Sequence, residues 1–226
     1  MAVAFRSASN SGRAAGGNLT ATEPAGAAEG DILVAIWEQD NSAVTLGLPA
    51  GWTEVQRGND GSAFAWVVGY IVRGASAPSL TFTASGSQYR ECIIVCISGG
   101  EFDAVQVATG SASSGNANPP SATASTASDL AVAMVYFWAG YNSPGPTAPS
   151  GYTAASSAWG TGGGGGAAYR SLSASGAEDP GVFANGNGTA NYVTVTFLAK
   201  EPAVSPTEQD SPYTLGRVVM GGARLT

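Results

Sequence analysis

Carboxylates and aromatic rings are the side chains here that could carry chemistry, because histidine is absent from all 226 residues. Without it there is no Ser–His or Cys–His nucleophile pair, and the commonest metal ligand is missing. The two cysteines, Cys92 and Cys96, enclose Ile-Ile-Val. On a strand they would share a face about 13 Å apart, beyond disulfide reach. They read as small buried hydrophobes, and their lack of pairing fits a reducing cytoplasm. The acids form only loose groups, Glu38/Asp40, Asp60, Glu101/Asp103 and Glu178/Asp179. A glycosidase needs two carboxyls across a cleft, whereas acids scattered in this way read as exposed turn residues. Asn59-Asp60-Gly61 is a hairpin turn with too few regularly spaced oxygens for calcium. The run Gly162 to Gly166 lacks the lysine and helix of a phosphate loop and reads as a flexible hairpin tip. No catalytic residue, cofactor or metal site is expected, so the chain is read as a non-enzyme.

Aromatic rings offer recognition chemistry instead, since sugar-binding sandwiches lay Trp or Tyr flat against pyranose rings. Trp159, Tyr141 and Tyr152 fall in or near loops of the second half and are the candidate glycan contacts. Tyr152 has a counterpart in Trp52, and a ring retained at both places also reads as packing against the end of a sandwich.

The elements that must position these groups are strands. Apolar residues alternate with period two: Ile32, Val34 and Ile36 share one face, and Leu130, Val132 and Met134 share another. The opposite faces carry smaller apolar residues such as Ala35, Ala131 and Ala133, which predicts cover by loops, arms or a neighbouring subunit. Glycine (32 residues) and proline (12) occur throughout, and no stretch has the spacing of a surface helix. The longest apolar stretch, Leu130 to Ala139, is about half of what a membrane-spanning helix needs. The N-terminus lacks the basic and apolar regions of a signal peptide. Net charge is −7, and Lys200 is the only lysine, so no basic stripe exists for nucleic acid.

The chain also repeats itself. Residues 1–101 and 102–200 follow one pattern: Asp31 and Asp129 open the apolar strands, and Pro49-Ala-Gly-Trp-Thr53 answers Pro149-Ser-Gly-Tyr-Thr153. Each copy closes on a strong strand, Cys92 to Ile97 and Val193 to Leu198. The strand Phe64 to Arg73 has only a short counterpart, Tyr169 to Leu172. No linker separates the copies, which predicts an all-β, antiparallel, jelly-roll-like β-sandwich made jointly by two repeated halves, with two abutting small sandwiches as the alternative. Residues 201–226 belong to neither copy. Their apolar positions Tyr213, Leu215, Val218, Val219, Met220 and Leu225 suit an assembly arm or a final edge strand of the same domain.

The phrases Gly30-Asp-Ile-Leu-Val-Ala35, Pro49-Ala-Gly-Trp-Thr53, Tyr70-Ile-Val, Leu80-Thr-Phe-Thr83 and Cys96-Ile-Ser-Gly99 together resemble a β-sandwich motif of tailed-bacteriophage virion proteins. The match covers most of 23–101, with a degraded copy over 119–199 that lacks the Gly before Asp129 and the Thr-Phe-Thr strand. The resemblance implies a structural component of the virion, made in the host cytoplasm and displayed on head or tail as capsid decoration or a fibre- or tail-associated part. It implies other virion proteins as partners and a homo-oligomer, with a trimer as the first expectation, and it brings no catalytic residues. A carbohydrate- or host-receptor-binding module is the alternative, and a cell-wall hydrolase a third reading. Neither nucleic acid nor membrane is expected as a partner.

Overall fold

Alternating β-branched and aromatic residues, cut by glycine and proline turns, give ten long strands and no helix among the described residues of the computed structural model. Those residues are 2–112, 116–138, 145–160, 162–184 and 190–202. The first half supplies β1 (Ala4–Asn10), β2 (Ile32–Asp40), β3 (Thr53–Asn59), β4 (Phe64–Val72) and β5 (Gln88–Ser98). The second supplies β6 (Glu101–Ala112), β7 (Leu130–Trp138), β8 (Thr153–Gly160), β9 (Gly163–Ser171) and β10 (Ala190–Lys200). Every pairing between them is antiparallel.

The long strands form two sheets. The first has the order β1-β5-β2-β4-β3, and the second β6-β10-β7-β9-β8. Each strand of the second half thus takes the place that its counterpart, five strands earlier, takes in the first. No long strand crosses into the other half's sheet. A jelly roll, whose two sheets both draw on both halves of the chain, would be ordered differently.

The sheets pack face to face, as period two requires. Ile32, Val34, Ile36, Ile93, Val95 and Ile97 of the first meet Leu130, Val132, Met134, Val193, Val195 and Phe197 of the second in one core. Rings join the layers: Phe5 stacks on Tyr169 with centroids 4.1 Å apart, and Phe64 meets Tyr136 edge-on at 5.4 Å. The outer faces are also buried, by the chain's own connections. Leu33, Ala35 and Trp37 lie under Leu46, Leu80 and Phe82. Ala131, Ala133, Val135 and Phe137 lie under Ala117, Ala122, Tyr152 and Phe183. Of the three covers expected for these faces, the loops provide it.

Two turns explain the repeated Pro-x-Gly-aromatic phrase. Trp52 N–H donates to Pro49 C=O at 3.3 Å, and Tyr152 N–H to Pro149 C=O at 3.1 Å. Gly51 and Gly151 take φ of 87° and 80° there, which a side chain would strain.

The glycine run corrects the sequence reading. Gly163 to Gly166 are not a hairpin tip but the buried start of β9, paired on both sides. A Cβ at Gly165 would sit 2.5 Å from Ile93 Cδ1 and 2.8 Å from Val135 O, and one at Gly166 2.8 Å from Pro146 Cγ. Bulky neighbours occupy the space that side chains would need, so glycine here records close packing.

Candidate functional site

Period two carries an acid into the core. Two residues beyond Ile36, Glu38 points to the inner face of β2, and on β5 Glu91 does the same, two residues before Ile93. The β2–β5 register sets Glu38 directly opposite Glu91, and each residue is only 1% exposed. Like charges directly opposite on a strand pair repel, and removing them from water adds to the cost.

One cation serves them. Arg13, just past β1, has a side chain only 1% exposed and lies 3.4 Å from Glu38. Its stronger bond is to Asp40, with Nη2 2.6 Å from each carboxylate oxygen. Arg13 also donates to the Tyr136 hydroxyl on β7 of the opposite sheet, and its guanidinium sits 5.3 Å from the centre of the Tyr89 ring. Glu38 Oε2 and both oxygens of Glu91 have no well-formed hydrogen bond, although Glu91 lies beside Asn10 and the Gly165 N–H.

Burial pushes the Glu91 carboxyl up to about 7, with Asn10, Arg13 and Gly165 opposing it. Burial also lifts Glu38 well above the ordinary carboxylate range, against the pull of Arg13 and helped by Glu91 and Asp40. The Tyr136 hydroxyl is raised by burial and by Glu38. Neither Glu38 nor Glu91 lines any of three shallow surface clefts among the described residues, of 260, 270 and 460 Å³. Through Arg13 and Tyr136 the group joins the two sheets.

Other acids, buried or half-buried, hold connections in place. Asp31 accepts from the Ala28 N–H at 2.8 Å and pairs with Arg6 at 2.7 Å. Asp129 accepts from both the N–H and the hydroxyl of Thr126, so the repeated acid does the same work in both halves. Asp60 caps its turn by accepting from the Ala63 and Phe64 N–H groups at 2.6 and 3.0 Å, and Asn191 reaches it from β10.

Of the candidate glycan rings, Tyr152 and Trp159 lie among the described residues, both in the outer cluster of the second sheet. Tyr152 is buried, donates its hydroxyl to Glu178 at 2.7 Å, and has Arg170 over its ring at 5.3 Å. Trp159 is half-buried on β8, opposite Gly164 of β9, and packs against the outer cluster of the second sheet. Tyr141 lies outside the described residues, as do Tyr213, Leu215, Val218, Val219, Met220 and Leu225. The cysteines are free and buried on the outer face of β5, and Cys96 is pushed up to about 12 by burial and by Asp31. Reading the sequence missed the Glu38–Glu91 pair, whose one signal was an acid in phase with the core face of a strand. Comparison with protein-family models, curated proteins and solved structures finds no match to this chain.

Proposed function

We propose that this chain is a non-enzymatic structural protein of a tailed-phage particle, exposed on head or tail as capsid decoration or a fibre- or tail-associated component. In this reading it is built from two copies of one sandwich motif and acts by associating with its own copies and with other virion proteins. The sequence phrases resembling virion sandwiches supply the class. The observation that carries the assembly role is an edge. β6 runs for 12 residues, pairs with β10 and no other described strand, and bears no charge after Asp103. A long edge without lysine or proline leaves a row of backbone donors and acceptors free to pair. The central strands of both sheets are already buried on both faces, which favours an edge as the means of contact.

Gold-labelled antibody on purified particles, from a lysate in which the protein is made, tests the location. Regularly spaced label on head or tail is expected. Label absent from intact particles while the free protein accumulates would overturn the reading.

A further inference from the structure

We propose that Glu38 and Glu91 form a proton-binding latch between the two sheets. The folded protein holds a proton on this pair, and its release loosens the end of the sandwich where Arg13 meets β9.

Charge balance leads to this without reference to any function. Glu91 is faced from β2 by Glu38 and Asp40, from β1 and its continuation by Asn10 and Arg13, and from β7 by Tyr136. From β9 it meets the backbone of Gly165. Three carboxylates therefore share one guanidinium, and Asp40 takes the bidentate contact with it. If all three were ionised, two negative charges would stand uncompensated, and Glu38 and Glu91 are each only 1% exposed. Such a group neutralises rather than remaining charged. The chain has no histidine to hold the proton in its place. Tyr136 and Cys92 are held above their ordinary values by burial.

The same side chains join the layers. Glu38 and Glu91 belong to the first sheet, and Tyr136 to the second. A Cβ at Gly163 would lie 2.8 Å from the Tyr136 hydroxyl and 3.4 Å from Arg13 Cζ, and one at Gly165 3.5 Å from Glu91 Oε1. Ionising the pair places repulsion at this junction, so its first consequence is local opening of β9 at Gly163 to Gly166.

The test compares urea unfolding from about pH 5 to about pH 8 in the wild type, Glu91→Gln and Glu38→Gln. One proton held by the folded state alone lowers the folding equilibrium constant about tenfold per pH unit between the unfolded and folded pKa values. The wild type is expected to lose stability across this range. Each variant that folds is expected to show a flatter profile and to exceed the wild type at about pH 8. Amide exchange supplies a second readout on the wild type alone, corrected for intrinsic base catalysis. Protection at Gly163 to Gly166 should fall with pH before protection at Ile94 to Ile97. Equal pH slopes in the wild type and a folded variant, or uniform loss of protection, would overturn the latch.

Discussion

Gly164 is a residue whose side chain is excluded by backbone rather than by anything that can move. A Cβ there would collide with Ala158 O and lie 2.8 Å from the Trp159 Cα. Gly164→Ala should therefore destabilise by about 1–3 kcal/mol. Gly74→Ala, with nothing within 4 Å of the added carbon, should stay within about 0.5 kcal/mol of the wild type. Urea midpoints of the two variants make the comparison. Tyr152→Phe deletes the hydroxyl that donates to buried Glu178 and should cost about 1–3 kcal/mol by the same measurement. A neutral result would return Tyr152 to the rings available for ligands. Residue types alone do not distinguish such positions. Gly163 to Gly166 look like a loose tip until β7 and β8 are seen on either side of them. Glu38 and Glu91 look like scattered acids until strand register sets them opposite each other, 53 positions apart in the sequence.

At the scale of elements, the strands were legible because period two and turn chemistry agree. Ile32, Val34 and Ile36 face the core with Leu130, Val132 and Met134 as their spacing predicts, and Pro49–Trp52 and Pro149–Tyr152 are turns. The outer faces were less legible, because cover for a sheet comes from long connections with no periodicity of their own. Phe82, between Leu80 and Thr83, shows how such cover works. It is fully buried over the first sheet, with its ring 5.8 Å from Trp37 and 5.5 Å from Trp52. Phe82→Ala should cost about 3–5 kcal/mol and expose Trp37 and Trp52, which thermal unfolding followed by tryptophan fluorescence would report. Loss below about 1 kcal/mol would mean that the connection adds little to the fold.

For the whole molecule, the acid groups divide into two sets with opposite effects on stability. Asp60 and Asp103 are held below the ordinary carboxylate value of 3.8. Burial opposes this at both, but it is outweighed by backbone N–H groups at Asp60 and by Ser125 at Asp103. A carboxylate whose folded value is lowered gives stability above its unfolded value and loses it as pH falls through the folded one. Glu91, raised from 4.5 to about 7, does the reverse. Its contribution is full below about 4.5 and is lost as pH rises through about 7, a loss of roughly 3 kcal/mol. Stability should therefore peak between the two sets, at mildly acidic pH, and fall on both sides. Thermal midpoints from about pH 3 to about pH 9 would show the dome. A midpoint that kept rising through neutrality would contradict this division.

Assembly also belongs to this scale. Its sequence signals are the uncharged edge of β6 and the apolar positions beyond Lys200. Which of these makes contact is not written in either pattern, since an edge and an arm both gain by pairing. Light scattering of the full chain and of a chain ending at Lys200, over a range of concentrations, tests the account most directly. The account predicts a discrete oligomer for the full chain. Its persistence in the shortened chain would assign the contact to the β6 edge, and its collapse to a folded monomer would assign it to residues 201–226. A full chain that is strictly monomeric at every concentration and binds no virion component would contradict the account.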